Sequence, residues 1–183
     1  MSKLQALSPK NTFYTIFLGI LLLSSCSEPP TKFFDIAVLN TNAFNDFASP
    51  DLARHIHDET KEFPDIPTSK KKGDEASNNI KNKILYLEQS LERVKKLSAS
   101  GTEQQEIKDL STRLYEMVIP VYKNEYTAYA KLCDSHESQS AQDAMVKNID
   151  EKYRVKFEQD YLALMEKGKA YAAENNIQVN WGQ

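Results

Sequence analysis

From Phe33 onward the apolar positions of this chain recur at helical rather than strand spacing. Ile80, Ile84, Leu87, Leu91, Val94 and Leu97 advance by steps of four and three, which places all six on one face of a helix. Ile107, Leu110, Leu114, Met117, Val118, Val121, Ala128 and Leu132 draw a second stripe. Val146, Ile149, Tyr153, Phe157, Leu164, Gly168 and Tyr171 draw another. An earlier stripe, Phe33, Ile36, Ala37, Asn40, Ala43, Phe44 and Phe47, meets a restart signal at Ser49-Pro50-Asp51. Serine at the cap, proline at the first helical position and aspartate at the positive helix end all favour a new start there. The first helix is therefore expected to be broken and to run to about Lys61.

Breaker residues divide these stripes. Phe63-Pro64-Asp65-Ile66-Pro67-Thr68-Ser69 cannot be helical throughout and makes a loop, under which Phe63 and Ile66 are expected to tuck. Ser98-Ala99-Ser100-Gly101 ends the second helix, with Gly101 available for a left-handed exit. Thr102 and Gln105 fit a capping box for the third, and Ser140 is placed to cap the fourth. Pro120 falls inside the third helix, removes one backbone bond to Glu116 and predicts a kink. The fourth helix stops at Asn175-Asn176, and Ile177, Val179 and Trp181 alternate along an extended tail that packs back on the bundle. These elements predict an all-α fold: an antiparallel four-helix up-down bundle with a broken first helix and a short extended C-terminal tail. Helices near 30 residues imply a rod about 45 Å long.

The N-terminal residues follow different rules. Met1 to Thr12 carry Lys3 and Lys10 and no acid, and the apolar run Phe13–Leu23 follows, then Ser24-Ser25-Cys26. A basic start, an apolar middle and a small-residue exit are the parts of a secretory signal. The run spans about 16 Å as a helix, against the roughly 30 Å of a bilayer core. Leu23-Ser24-Ser25-Cys26 resembles the processing site of bacterial lipoproteins. The resemblance implies cleavage before Cys26, a diacylglycerol on its sulfur, and an acyl chain such as palmitate on the new amino end. Ser27, in place of aspartate, implies the outer rather than the inner membrane. The pattern of the remaining chain is similar to that of small helical lipoproteins of Gram-negative bacteria, without a diagnostic motif. Three parts result: a removed signal over 1–25, the lipidated cysteine with its tether over 26–32, and one helical domain over 33–183.

Charge narrows the partners. Without the signal, which holds two lysines and no acid, the formal charge moves from −3 to −5. A mildly acidic domain lacks the basic surface that nucleic acid requires. With Cys26 consumed by lipidation, Cys133 has no partner for an internal disulfide. The triple lysine Lys70-Lys71-Lys72 stands beside Asp65, Asp74 and Glu75 and is expected to be a solvated loop end.

Few residues carry candidate chemistry. Tyr115, Tyr122, Tyr126 and Tyr129 fall within about 60° of one another on a straight helix, roughly 100° from the middle of its apolar seam. A ring with a polar tip suits a wet boundary, so this row is the candidate partner surface, with a small-ligand groove as the other functional option. The plainer alternative is that the rings fill the seam against the fourth helix. Asp51, His55 and Glu59 share a face at four-residue steps, but no Glu-x-x-His pair of the di-iron kind accompanies any histidine, and no metal site is assigned. Glu125 and Asp150 both fall in apolar sectors, where paired carboxylates could share a proton or cation; Lys147 is an alternative partner for Glu125. No catalytic set and no cofactor motif stands out. The expected function is a non-enzymatic interaction domain, held at the membrane through Cys26 and facing the periplasm, with an envelope protein as partner. The alternative is a small-ligand-binding bundle.

Overall fold

A computed structural model describes residues 28–181. The expected processing site, with Cys26, lies outside the described residues. Every regular element among these is helical. Helix α1 spans Pro30–Ala37, a 3₁₀ segment spans Leu39–Phe44, and α2 spans Pro50–Asp58. A short 3₁₀ turn at Pro67–Ser69 precedes α3 at Glu75–Lys96. Helix α4 spans Thr102–Val121, continues through a π-helical segment at Tyr122–Tyr126 and becomes α5 at Thr127–Asp134. Helix α6 spans Gln139–Glu174.

The long helices follow one another antiparallel. Helix α3 packs on both α4 and α5, and α6 packs on the same pair from another side. The broken first segment runs in the remaining groove, with α1 against α3, α4 and α6, and α2 against α3, α5 and α6. One end of the bundle thus gathers the start of α1, the end of α3 and the C-terminal tail. No helix among the described residues is long and apolar enough to cross a membrane.

The break in the first segment follows its residues. Ser49 caps α2 by accepting from the Leu52 amide at 3.3 Å, with Pro50 in the first turn. Ala48, just before it, holds a left-handed φ of 54°. That conformation strains a side-chain-bearing residue and ends any continuous helix. Helix α1 starts earlier than the tether boundary, because Pro30 occupies a first-turn position where its missing N–H costs nothing. It also buries more than one stripe: Phe33, Phe34, Ala37 and Val38 are all fully buried, while Ile36 is only partly so. A segment seated in a groove is covered on two sides, which a single stripe does not anticipate.

The α3 seam is as spaced. Ile80, Leu87, Val94 and Leu97 are buried, and Ile84 and Leu91 pack partly exposed against the core. The ends of the elements differ from expectation. Gly101 is extended (φ −170°) rather than left-handed, since α3 leaves through an extended Leu97. The capping box is shifted: Gln104, not Gln105, reaches back to accept from the Ser100 amide at 2.7 Å, and Gln105 bonds Asp109. Ser138, not Ser140, caps α6 through the Ala141 amide. Asp134, at the end of α5, receives the Ala76 and Ser77 amides at 3.0 Å each and so caps α3 across the bundle. Phe63 and Ile66 stand about half exposed, at 55% and 50%. Their loop closes on itself instead, through Ser69 Oγ, which accepts from the Phe63 amide and lies within bonding distance of the Phe63 and Ile66 carbonyls.

Candidate functional site

The tyrosine row lies inside the bundle. Tyr115, Tyr122, Tyr126 and Tyr129 are each no more than 3% exposed, so the row does not form a surface; only the edge of Tyr129 reaches an open depression, beside Ala53, Arg54 and His57. Tyr115 and Tyr122 are covered by Phe44 and Phe47 of the broken first segment, and Tyr126 and Tyr129 are brought inside by the π-helical turn that follows Pro120. Proline has no N–H to return to the Glu116 carbonyl, and a π turn accommodates one more residue than an α turn. One additional residue advances every later core position by one. Glu125, Ala128 and Leu132 are the seam positions of a straight helix; the buried positions are Tyr126, Tyr129, Ala130 and Cys133. The Thr127 hydroxyl donates to the Tyr122 carbonyl at 2.8 Å across the widened turn.

The buried rings form an aromatic core with the broken first segment. Tyr115 meets Phe44 edge-on at 4.9 Å, and Tyr122 lies 4.9 Å from Tyr126. Phe47 sits among Tyr122, Tyr126, Tyr153 and Phe157. Two hydroxyls tie that segment down: Tyr126 accepts from the Ala48 amide at 3.0 Å, and Tyr129 donates to the Ala53 carbonyl at 3.2 Å. The first of these bonds is made at the strained residue itself. By contrast, the hydroxyls of Tyr122 and Ser111 end in the core without a partner, and that of Tyr115 faces the buried Ser90. Burial raises the pKa of all four phenols. The rings serve as a clasp between the first segment and the π turn.

The remaining candidates are dispersed. Asp51 pairs with Arg54 at 2.8 Å, His55 meets Asp46 at 3.3 Å, and Glu59 accepts from Asn79 at 2.9 Å. No group of three His, Cys, Asp or Glu side chains among the described residues could hold a metal ion. Glu125 and Asp150 do not form a pair. Glu125 takes the Tyr153 hydroxyl at 2.5 Å and lies 3.5 Å from Lys152, whereas Asp150 binds Arg154 at 3.2 Å. Cys133 is 1% exposed, its thiol 3.6 Å from Gln142 Oε1, and burial pushes its pKa up. Buried and protonated, it is a poor nucleophile. At the triple lysine, the Glu75 carboxylate receives the Lys72, Gly73 and Asp74 amides, and the Lys72 bond above all holds its pKa low. Gly73 turns the chain there with φ 88°.

Asp160 is the carboxylate that periodicity did not single out. It is 4% exposed, with Oδ1 accepting from Lys156 at 2.9 Å and Arg113 at 3.2 Å, and Oδ2 unpartnered. The Lys156-x₃-Asp160 spacing marks a helical ion pair. Arg113 comes from α4 and is visible only in three dimensions.

Surface features are open. A depression of about 700 Å³ runs along the outer face of α3, lined by Leu85, Tyr86, Arg93 and Lys96 among others. A second, about 270 Å³, joins Arg93, Lys96 and Leu97 to Glu28, Lys32 and Ile36. On α6, Val155 and Leu162 stand 79% and 62% exposed, seven residues apart on one face. In comparisons with known proteins, no family model matches the chain, and no curated protein or solved structure matches it.

Proposed function

We propose that this chain is a bacterial envelope lipoprotein, held to the membrane by acylated Cys26 and facing the periplasm. Its helical domain acts by binding rather than by catalysis. The observation that carries this is the sequence Leu23-Ser24-Ser25-Cys26, followed within four residues by the start of α1 at Pro30. A cysteine so close to a folded helix makes a leash of at most about 14 Å, so the domain works against the membrane face. Ser27 favours the outer membrane for that anchor. The binding role rests on a core filled by rings in mutual contact, from Phe44 through Tyr122 and Tyr126 to Phe157. A carrier of small ligands needs an enclosed space of about 300 Å³ or more.

With the tyrosines buried, the partner surface is placed instead on α6 at Val155 and Leu162. Two exposed apolar residues one heptad apart suit an envelope protein that offers a helix. Site-specific photocrosslinking from Val155 in intact envelopes tests this. A single adduct that disappears in Leu162→Glu supports the binding role. Absence of any adduct, from a protein that fractionates with the membrane, speaks against it. Cys26→Ser should release the chain from membranes, and wild-type partitioning of that variant would defeat the lipid anchor.

A further inference from the structure

Covalent geometry limits where the anchor is. Consecutive Cα atoms are 3.8 Å apart, so Cys26 lies within about 8 Å of Glu28, whatever path the chain takes. Glu28 is held at the start of α1 by Lys32 at 2.8 Å, and both line the depression that Arg93, Lys96 and Leu97 complete. On the other flank of α1, Phe34 meets the edge of Trp181 at 5.9 Å. The end of the bundle that carries α1 is therefore within one headgroup layer of any bilayer that holds Cys26.

Two cation–aromatic pairs lie on the sides that run from that end, the Tyr86 ring standing about 15 Å along α3 from Lys96. Arg93 lies 6.0 Å from the Tyr86 ring centroid on the α3 side, and Lys169 lies 5.5 Å from the Trp181 centroid on the tail side. Tyr86 and Trp181 are 39% and 38% exposed, and Arg93 and Lys96 line both the open depression that holds Tyr86 and the one that reaches Glu28. Tryptophan and tyrosine settle at headgroup depth, where the ring meets apolar chain and its polar atom meets water. Lysine and arginine beside them meet lipid phosphate. Asp35 and Glu92 are exposed nearby and Glu28 is neutralised by Lys32, so the face is mixed rather than strongly basic. Alone it would bind a membrane weakly. Behind a short anchor, its effective concentration at the bilayer is high, and a weak surface suffices to set orientation.

We infer that Trp181 with Lys169, and Tyr86 with Arg93 and Lys96, form a membrane-contact surface that seats the anchored domain on phospholipid headgroups in one fixed orientation. The inference rests on acylation of Cys26. It adds that the domain is docked on the bilayer, not merely tethered to it.

Trp181 is the only tryptophan of the chain, so its emission reports the contact directly. The acylated full-length protein, purified from its membrane and reconstituted into vesicles containing phosphatidylglycerol, is compared in lipids with and without brominated acyl chains. Docking predicts about a two-fold loss of Trp181 emission in brominated vesicles, as for a ring seated at the headgroup–acyl boundary. Each cation near an anionic surface favours contact about five-fold, so R93Q/K96Q/K169Q should restore most of the lost emission while acylation is unchanged. Acylated, vesicle-bound protein whose emission is the same in both lipids would overturn the contact and leave the anchor standing. So would Trp181 that escapes bromine in vesicles yet is shielded from acrylamide in native envelopes, since a protein or a second copy would then cover it. An unacylated Cys26 in the purified protein would remove both the anchor and the contact.

Discussion

At Gly168 the contact between α6 and α1 leaves no room for a methyl group. A Cβ built there would stand 2.8 Å from Val38 Cγ1 and 3.3 Å from Val38 Cγ2, with Phe34 at 3.6 Å. Two effects oppose each other in Gly168→Ala. Alanine in a helix interior is favoured over glycine by about 1 kcal/mol. Overpacking a filled site costs about 1–3 kcal/mol. Val38 is fully buried and its short branched side chain cannot swing aside, so the upper part of that range applies. The net is a loss of about 1–2 kcal/mol, or a fall in melting temperature of about 2–8 °C for a domain of this size. The sign should reverse once the obstacle is gone. In a Val38→Ala background, which itself costs about 2 kcal/mol from two lost methyl groups, Gly168→Ala should stabilise by up to about 1 kcal/mol. Urea titrations of the four proteins, followed by circular dichroism, give the cycle. A Gly168→Ala effect of the same sign and size in both backgrounds would refute the packing of α1 on α6.

Leu87 and Leu114 are fully buried on the facing seams of α3 and α4, and alanine at either should cost about 2–5 kcal/mol in chemical denaturation. Tyr126→Phe should cost about 1 kcal/mol by freeing the Ala48 amide, whereas Tyr122→Phe, which removes a hydroxyl with no partner, should be neutral or stabilising in the same titration. Buried Tyr115, Tyr122, Tyr126 and Tyr129 ionise above the ordinary 10.0 when folded. The unfolded chain then releases protons first, so stability is intact below pH 10 and falls above it by up to about 1.4 kcal/mol per pH unit per ring. The main rise in phenolate absorbance and the loss of helicity should come together; ionisation of all the phenols, the buried four included, in a fully helical protein would contradict the burial. Cys133 should resist a thiol reagent in the native state and react once in denaturant, and fast native labelling would place it on the surface.

What the residue pattern predicted correctly was local and one-sided. The 4-3 spacing from Ile80 to Leu97 needs only one face and one partner surface, and it stands. Ser49-Pro50 stops and restarts a helix by chemistry confined to a few residues, and the break is there. The stop at Asn175-Asn176 is of the same kind, with Asn176 at φ 55°. The failures arise where a distant element decides. Phe34 and Val38 are buried because α1 fills a groove, and Gly168 is small because α1 comes close. Tyr115 and Tyr122 are buried because Phe44 and Phe47 of the first segment cover them, and Tyr126 and Tyr129 were misplaced by a single inserted residue: Pro120 announced a disturbance, but a kink keeps the helical phase and a π turn changes it. With a straight helix Glu125 lies in the core and Tyr126 beside it; the turn exchanges them. Asp160 is buried beside Lys156 and Arg113, and only the Lys156 half of that arrangement is local.

The proposed placement at the membrane rests on one covalent modification, and mass spectrometry of the N-terminal peptide from native envelopes reads it. A peptide that begins at Cys26 and carries a diacylglycerol on sulfur is the predicted result. A peptide that retains residues before Cys26, or an unmodified Cys26, would contradict it.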